Sequence, residues 1–80
     1  MPYTIGDKIK KAREHRNLTQ KQLARKTGLS VVAIASIEAG RRPGPRITTI
    51  YRMARATAIK LDWFFRNLKL EIPDESDKSL

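Results

Sequence analysis

Two sets of helix-capping residues on either side of one glycine constrain this 80-residue chain more than any other feature. Thr19 precedes Gln22 by three residues, the spacing of a capping box in which the two side chains satisfy backbone N–H groups at the start of a helix. Gly28 can adopt the left-handed conformation that ends a helix. Ser30, two residues later, is a favoured residue for capping the next helix. The stretch therefore predicts two short helices separated by a tight turn.

The caps place these two helices at Gln20–Thr27 and 31–39, the second ending at Gly40. Leu18 and Leu23 occupy the two positions at which apolar side chains pack across the first cap as a hydrophobic staple. Two capped helices of about two turns each, joined by a turn that contains glycine, form a helix-turn-helix unit.

Apolar residues at helical spacing predict three further helices, over Ile5–His15, Ile47–Thr57 and 62–68. The outward face of the first is basic, with Lys8, Lys10, Lys11, Arg13 and Arg16. The apolar face of the second comprises Ile47, Ile50, Met53, Ala54 and Thr57. The chain is thus expected to be all-α with five helices. Apolar and polar residues alternate over 68–72, a pattern that fits either a short strand or an extended tail.

The charge of the chain is unevenly distributed. The net charge is +9, but residues 71–80 carry −3, so residues 1–70 carry +12. We therefore expect a basic domain over 1–70 followed by an acidic, flexible tail over 71–80. A domain this basic favours polyanions, and together with the helix-turn-helix unit it predicts a nucleic-acid partner.

Composition argues against several other classes of protein. The chain has no cysteine and one histidine, His15, so we expect no disulfide, no metal site and no cofactor. No catalytic set is present, and an enzyme is not expected. No apolar run approaches the roughly 18 residues of a membrane span, and the first residues lack the apolar core of a signal peptide. These features predict a cytoplasmic protein that has no membrane partner.

Several motifs together resemble one family. They are I-x-x-A-R at 9–13, LTQKQLARKTGLS at 18–30, I-x-x-I-E-x-G at 34–40, Pro45 in the loop, Met53-Ala54 and I-x-L-D-W-F-F at 59–65. In these motifs the chain resembles the phage lambda-type repressors and Cro proteins, the Xre family. The resemblance covers about residues 5–68. It implies a compact five-helix lambda-repressor-like domain.

The resemblance also implies a function. The chain would be a sequence-specific, double-stranded DNA-binding transcriptional regulator, a repressor, with its third helix in the major groove. The residues at the base edges would be Val31, Val32, Ala33, Ala35 and Ser36. These side chains cannot make bidentate hydrogen bonds to bases, but they can pack on thymine methyl groups, so specificity would depend on those contacts and on DNA shape. Alternatively, this apolar face meets a protein partner.

The positions that contact phosphate in the family correspond here to Thr19, Gln20, Arg41, Arg42 and Arg46. Thr19 has the helix-cap role as an equal alternative. Arg46 could instead enter the minor groove. The loop between Gly40 and Pro45 is about one residue longer than the usual family pattern, which leaves the phosphate partners of the three arginines open.

The resemblance further implies an ion pair and a dimer. Arg13 and Glu38 would tie the first helix to the third, and pairing Glu38 would keep an acid from repelling phosphate. A homodimer on a palindromic operator would form through Trp63, Phe64, Phe65 and Leu68. Phe64 and Phe65 could equally belong to the core, which makes Trp63 the better candidate.

A second function fits the same fold. The chain could be the antitoxin of a toxin–antitoxin pair that binds a toxin and also represses its own operon. The acidic tail over 71–80 is the candidate segment for the protein partner.

Overall fold

The computed structural model describes residues 3–41 and 45–68. The elements, in chain order, are α1 (Ile5–His15), α2 (Gln20–Thr27), α3 (Val31–Glu38), α4 (Ile47–Thr57) and a 3₁₀ helix (Leu61–Phe65). The predicted bounds of α1, α2 and α4 are confirmed, and α3 ends one residue before the expected position. The predicted tail over 71–80 lies outside the described residues.

The capping residues around the turn behave as their spacing predicts. The Thr19 hydroxyl accepts from the backbone N–H of Gln22 at 3.0 Å, and the Thr19 N–H donates to the Gln22 side chain at 2.8 Å. Gly28 has φ of +78° and ends α2 in the left-handed conformation. The Ser30 hydroxyl accepts from the N–H of Ala33 at 3.0 Å and starts α3. Local hydrogen bonds therefore set the ends of both helices.

The predicted fifth α-helix over 62–68 is wrong. The segment forms one short 3₁₀ helix, and no side chain caps it at Lys60. Asn67, with φ of +54°, lies in the left-handed region just beyond it. A segment this short cannot offset the cost of nucleating an α-helix, so tertiary contacts decide its form.

One hydrophobic core unites all five elements. Its buried members are Ile9, Ala12, Leu23, Ala24, Ile34, Ile37, Ile50, Met53, Ala54 and Phe64. The hydroxyls of Thr27 and Thr57, which end α2 and α4, are buried beside the core and donate to the carbonyls of Leu23 and Met53 at 2.8 and 2.7 Å. Both buried hydroxyls are thus hydrogen-bonded.

Lys8 departs from the predicted basic outer face of α1. The residue is only 4% exposed, and its Nζ lies 4.1 Å from the ring centroid of Trp63 and 5.5 Å from that of Tyr3. Burial, followed by the charges of Arg66 and Lys11, lowers the pKa of Lys8 from its usual value. The aromatic faces partly offset the loss of water around this ammonium.

Ile47 also departs from its predicted position. The spacing assigned it to the apolar face of α4, yet its side chain is 57% exposed. It stands at the first position of the helix, directly after Arg46. The inward face of α4 begins one turn later, at Ile50, which is buried.

Gly6 allows α1 to approach the end of α3 closely. A Cβ atom at this position would overlap the carbonyl oxygen of Ile37 and would lie 3.2 Å from that of Glu38. Any larger residue would therefore push α1 away from α3. The spacing of apolar residues carried no sign of this contact.

Candidate nucleic-acid interface

The first turn of α3 directs apolar side chains away from the core. Val31 is 42% exposed and Val32 is 71% exposed, and both directly follow the Ser30 cap. The remaining candidates for base contact are half-buried, namely Ala33, Ala35 and Ser36. The face assigned to base edges is therefore most open at the N-terminal end of the helix.

Glu38 is the centre of a hydrogen-bonded network that joins three helices. Arg13 donates from Nε to Glu38 Oε2 at 2.7 Å and from Nη2 to Oε1 at 3.0 Å. Gln20 Nε2 donates to Oε1 at 3.1 Å, and Arg13 Nη1 donates to the carbonyl of Leu18 at 2.8 Å. The hydrogen bond to Glu38 is the main cause that raises the pKa of Arg13 above its usual value. The network fixes α3 relative to the start of α2.

The start of α2 retains donors for an anion although both of its candidate side chains are engaged. The Thr19 hydroxyl accepts one hydrogen bond as a cap, and its own proton can still be donated. The Gln20 amide has two N–H donors, of which the contact with Glu38 uses one. Unpaired N–H groups and the positive end of the helix dipole add to these donors.

Arginines flank α3 on its C-terminal side. Arg41 and Arg46 are both exposed. The N–H of Arg41 donates to the carbonyl of Ser36 at 3.0 Å, which holds the start of the loop against α3. Arg46 precedes α4, and its side chain makes no capping hydrogen bond. Arg42, the third arginine predicted to contact phosphate, lies outside the described residues.

The charge in the middle of the chain is almost wholly positive. Residues 15–61 contain ten lysines and arginines and a single acid, Glu38. Because Glu38 is paired with Arg13, its charge is compensated within the fold. The helix-turn-helix unit and its flanks therefore present a positive field to a polyanion.

The four residues predicted to form a dimer interface have different environments. Phe64 is fully buried in the core, so its assignment to an interface is wrong. Phe65 is 42% exposed, whereas Trp63 and Leu68 are half-buried. The ring of Trp63 packs edge-on against Phe64 with centroids 5.1 Å apart. Phe65 is thus the most accessible apolar side chain of this set.

A cleft of basic residues was not anticipated from the sequence. Lys26 on α2 and Arg52 and Arg55 on α4 line one cleft together with Thr27 and Ala56. The two helices contribute residues 25 or more positions apart, and local spacing cannot bring such positions together. The lack of acids on both helices is the one signal that could have indicated it.

Neither a metal site nor a membrane span was found in the part of the chain that is described. Within residues 3–41 and 45–68, no cluster of three or more His, Cys, Asp or Glu residues could hold a metal ion. Over the same residues, no helix has both the length and the apolar character needed to cross a membrane.

The chain is 39% identical over 56 residues to the HTH-type transcriptional repressor RghR of Bacillus subtilis, a match that covers 70% of this chain and 42% of RghR. The chain thus spans less than half the length of that relative.

Two solved structures are similar to the fold. The restriction-modification controller protein C.AhdI of Aeromonas hydrophila has a TM-score of 0.71 at 26% identity, covering 76% of this chain and 91% of its own. The biofilm regulator SinR of Bacillus subtilis in complex with DNA has a TM-score of 0.73 at 22% identity, covering 78% and 98%. The likeness to SinR is one of fold alone.

The HTH_3 helix-turn-helix family matches residues 9–64, which include α2, the turn, α3 and the Arg13–Glu38 pair. This match covers more than half of the chain. The chain therefore belongs to the HTH_3 helix-turn-helix family.

Proposed function

We propose that this protein is a sequence-specific, double-stranded DNA-binding transcriptional regulator that acts as a repressor, with α3 in the major groove. The observation that carries the proposal is the exposed first turn of α3, held in place by the network at Glu38. RghR, which is named a transcriptional repressor, supports this reading.

The reading element is the N-terminal half of α3. Recognition helices of this type place their first residues at the base edges of the major groove. Val31 and Val32 are the most exposed residues there, and their side chains can contact thymine C5-methyl groups. Ala33, Ala35 and Ser36 would lie closer to the groove wall. Base contacts of this kind favour T-rich sites.

The positioning elements lie on either side of α3. Thr19 and Gln20 would donate to a phosphate at the N-terminus of α2. Arg41, Arg42 and Arg46 would bind phosphates beyond the other end of α3. Contacts on both sides of the reading helix would fix its register along the duplex.

The operator is proposed to be a palindrome bound by a homodimer. Phe65, with Trp63 and Leu68 beside it, would supply the apolar part of the contact between copies. Two copies of α3 would then read half-sites about one helical turn, roughly 34 Å, apart.

Selection from a pool of random duplexes tests the proposal. The expected result is a palindromic, T-rich consensus with two half-sites about 10 base pairs apart. Val32→Ser should change the base preference at one position of each half-site. Lys60→Gln, which alters an exposed residue before the 3₁₀ helix, should leave the consensus unchanged.

Two outcomes would contradict the proposal. A wild-type protein that enriches no sequence would rule out specific DNA binding. A consensus that is unchanged by Val32→Ser would contradict the placement of α3 in the major groove. The sign of regulation is tested with the selected site placed over a promoter, where transcription of a reporter should fall as the protein is expressed.

A further inference from the structure

The C-terminal end of α2 and the face of α4 opposite it enclose a cleft of about 350 Å³. Its lining residues are Lys26, Thr27, Arg52, Arg55 and Ala56. It lies at the other end of α2 from Thr19 and Gln20, which are the candidates for phosphate binding at the N-terminus. The cleft is therefore separate from the sites assigned above.

The cleft is strongly cationic. Three of its described lining residues carry a positive charge and none carries a negative one. Neither α2 nor α4 contains an acid anywhere along its length. The three cations raise one another's electrostatic energy, and an anion between them would relieve that repulsion.

The arginines of the cleft keep unused donors. Arg52 Nη1 donates to the carbonyl of Thr27 at 3.4 Å, a long contact, and this is its one hydrogen bond to the described part of the chain. A guanidinium has five N–H donors, and its planar fork suits two oxygens of one phosphate. The Arg55 guanidinium lies 6.0 Å from the ring centroid of Tyr51.

The cleft is adjacent to the reading end of α3. Thr27, in its lining, is followed by Gly28, where a Cβ atom would lie 4.0 Å from Arg52 Nη1. Val31 comes four residues after Thr27, so the two Cα atoms can be no more than about 14 Å apart. The major groove is about 12 Å wide. Arg52, which contacts the Thr27 carbonyl, therefore lies on the side of the fold that carries the N-terminal end of α3, from which a long side chain could reach the backbone that borders the groove.

From these contacts we propose that the cleft between α2 and α4 binds a phosphodiester group of duplex DNA. Lys26, Arg52 and Arg55 would hold the phosphate, which belongs to the strand that borders the N-terminal end of α3. The inference rests on the proposed function and adds a phosphate contact to it. This phosphate contact would fix the position of the N-terminal end of α3, where the exposed valines lie.

The test is the salt dependence of DNA affinity. The cleft variant is Arg52→Gln/Arg55→Gln, and its matched control is Lys60→Gln/Arg66→Gln, which removes two exposed charges at the 3₁₀ helix. Each phosphate contact contributes about 0.9 to the slope of log affinity against log salt concentration. We expect the slope to fall by about one in the cleft variant and to stay within error of wild type in the control.

A second variant guards against an effect on folding. Arg52→Gln removes the contact with the Thr27 carbonyl, whereas Lys26→Gln leaves that contact in place. Lys26→Gln should also lower the salt slope, with thermal unfolding unchanged. Ethylation interference should show one phosphate per half-site that affects binding of wild type and no longer affects binding of the cleft variant.

Three outcomes would overturn the inference. In the first, the cleft and control variants lose the same slope, which would indicate a general effect of charge. In the second, no variant changes the slope. In the third, the slope is unchanged but inorganic phosphate shifts the Thr27 and Gly28 amide resonances saturably in the free protein, which would assign the cleft to a free anion. Wild type that binds no DNA at all would instead contradict the proposed function.

Discussion

Arg13 and Glu38 form a two-point ion pair between α1 and α3, with Nε–Oε2 at 2.7 Å and Nη2–Oε1 at 3.0 Å. Their side chains are only 12% and 4% exposed. The pair is thus largely withdrawn from water, and Glu38 also accepts from Gln20. Two parallel hydrogen bonds fix the orientation of the partners as well as their distance.

Removal of Arg13 should destabilise the fold strongly. Arg13→Ala leaves the Glu38 carboxylate nearly buried without its cation, and breaking a buried pair in this way costs about 3 kcal/mol or more. Chemical denaturation measures the loss. The control is Arg66→Ala, which removes an exposed contact with Asp62 at 3.5 Å and should change little. Equal stabilities for the two variants would contradict a structural role for the pair.

Gly6→Ala should destabilise the protein although alanine is the better helix former. Helix propensity alone would stabilise α1 by about 1 kcal/mol. The new Cβ atom would overlap the Ile37 carbonyl, and overpacking of this kind costs about 1–3 kcal/mol. Thermal unfolding should show the net loss. Gly40→Ala is the comparison. That position has a φ of +73° but no atom within 4 Å of an added Cβ, so its loss of stability would come from backbone strain and not from overlap. A Gly6→Ala protein as stable as wild type would mean that α1 and α3 are less closely packed.

Lys8 should make stability depend on pH in the alkaline range. Burial lowers the pKa of Lys8, with Arg66 and Lys11 acting in the same direction. Between that lowered value and the usual 10.5, the unfolded chain binds more protons at this residue than the folded one, so stability rises with pH.

The measurement compares wild type with Lys8→Met. The free energy of unfolding of wild type minus that of the variant should increase as pH rises from 7 toward 10.5. Lys10→Met, at an exposed position of α1, controls for the loss of one positive charge. A difference that falls with pH would show that the cation–π contacts with Trp63 and Tyr3 outweigh the cost of burial.

Two adjacent phenylalanines should separate assembly from folding. Phe65→Lys places a charge on an exposed side chain and should abolish the proposed dimer with little change in monomer stability. Phe64→Ala removes a fully buried ring and should cost about 3–5 kcal/mol of stability. Analytical ultracentrifugation reports the first effect and denaturation the second. A Phe65→Lys protein that remains dimeric would place the interface elsewhere.

Much of the helical framework could be predicted because its signals are local. The helix caps and the glycine turn act over three or four residues, so Thr19, Ser30 and Gly28 set the ends of their helices in the sequence as in the structure. The two faces of α3 could also be predicted from the sequence. Ile34 and Ile37 are its buried residues, and Val31 and Val32 are exposed.

The features that the sequence left open depend on what lies across the fold. Periodicity placed Lys8 on a polar face, but Trp63 packs against that face and buries it. The same reasoning could not tell Phe64 from Phe65, because a 3₁₀ turn distributes side chains differently from an α-helix.

The sequence by itself determined the bounds of α1, α2 and α4, the start of α3, most of the apolar face of each helix, and the positive charge around the turn. The tertiary structure decided which polar residues are buried, how closely α1 approaches α3 at Gly6, and which cations from α2 and α4 share one cleft. The reason is the distance along the chain between the residues that interact. Caps and periodicity are satisfied within a few residues, whereas burial and charge clustering arise only when distant segments meet.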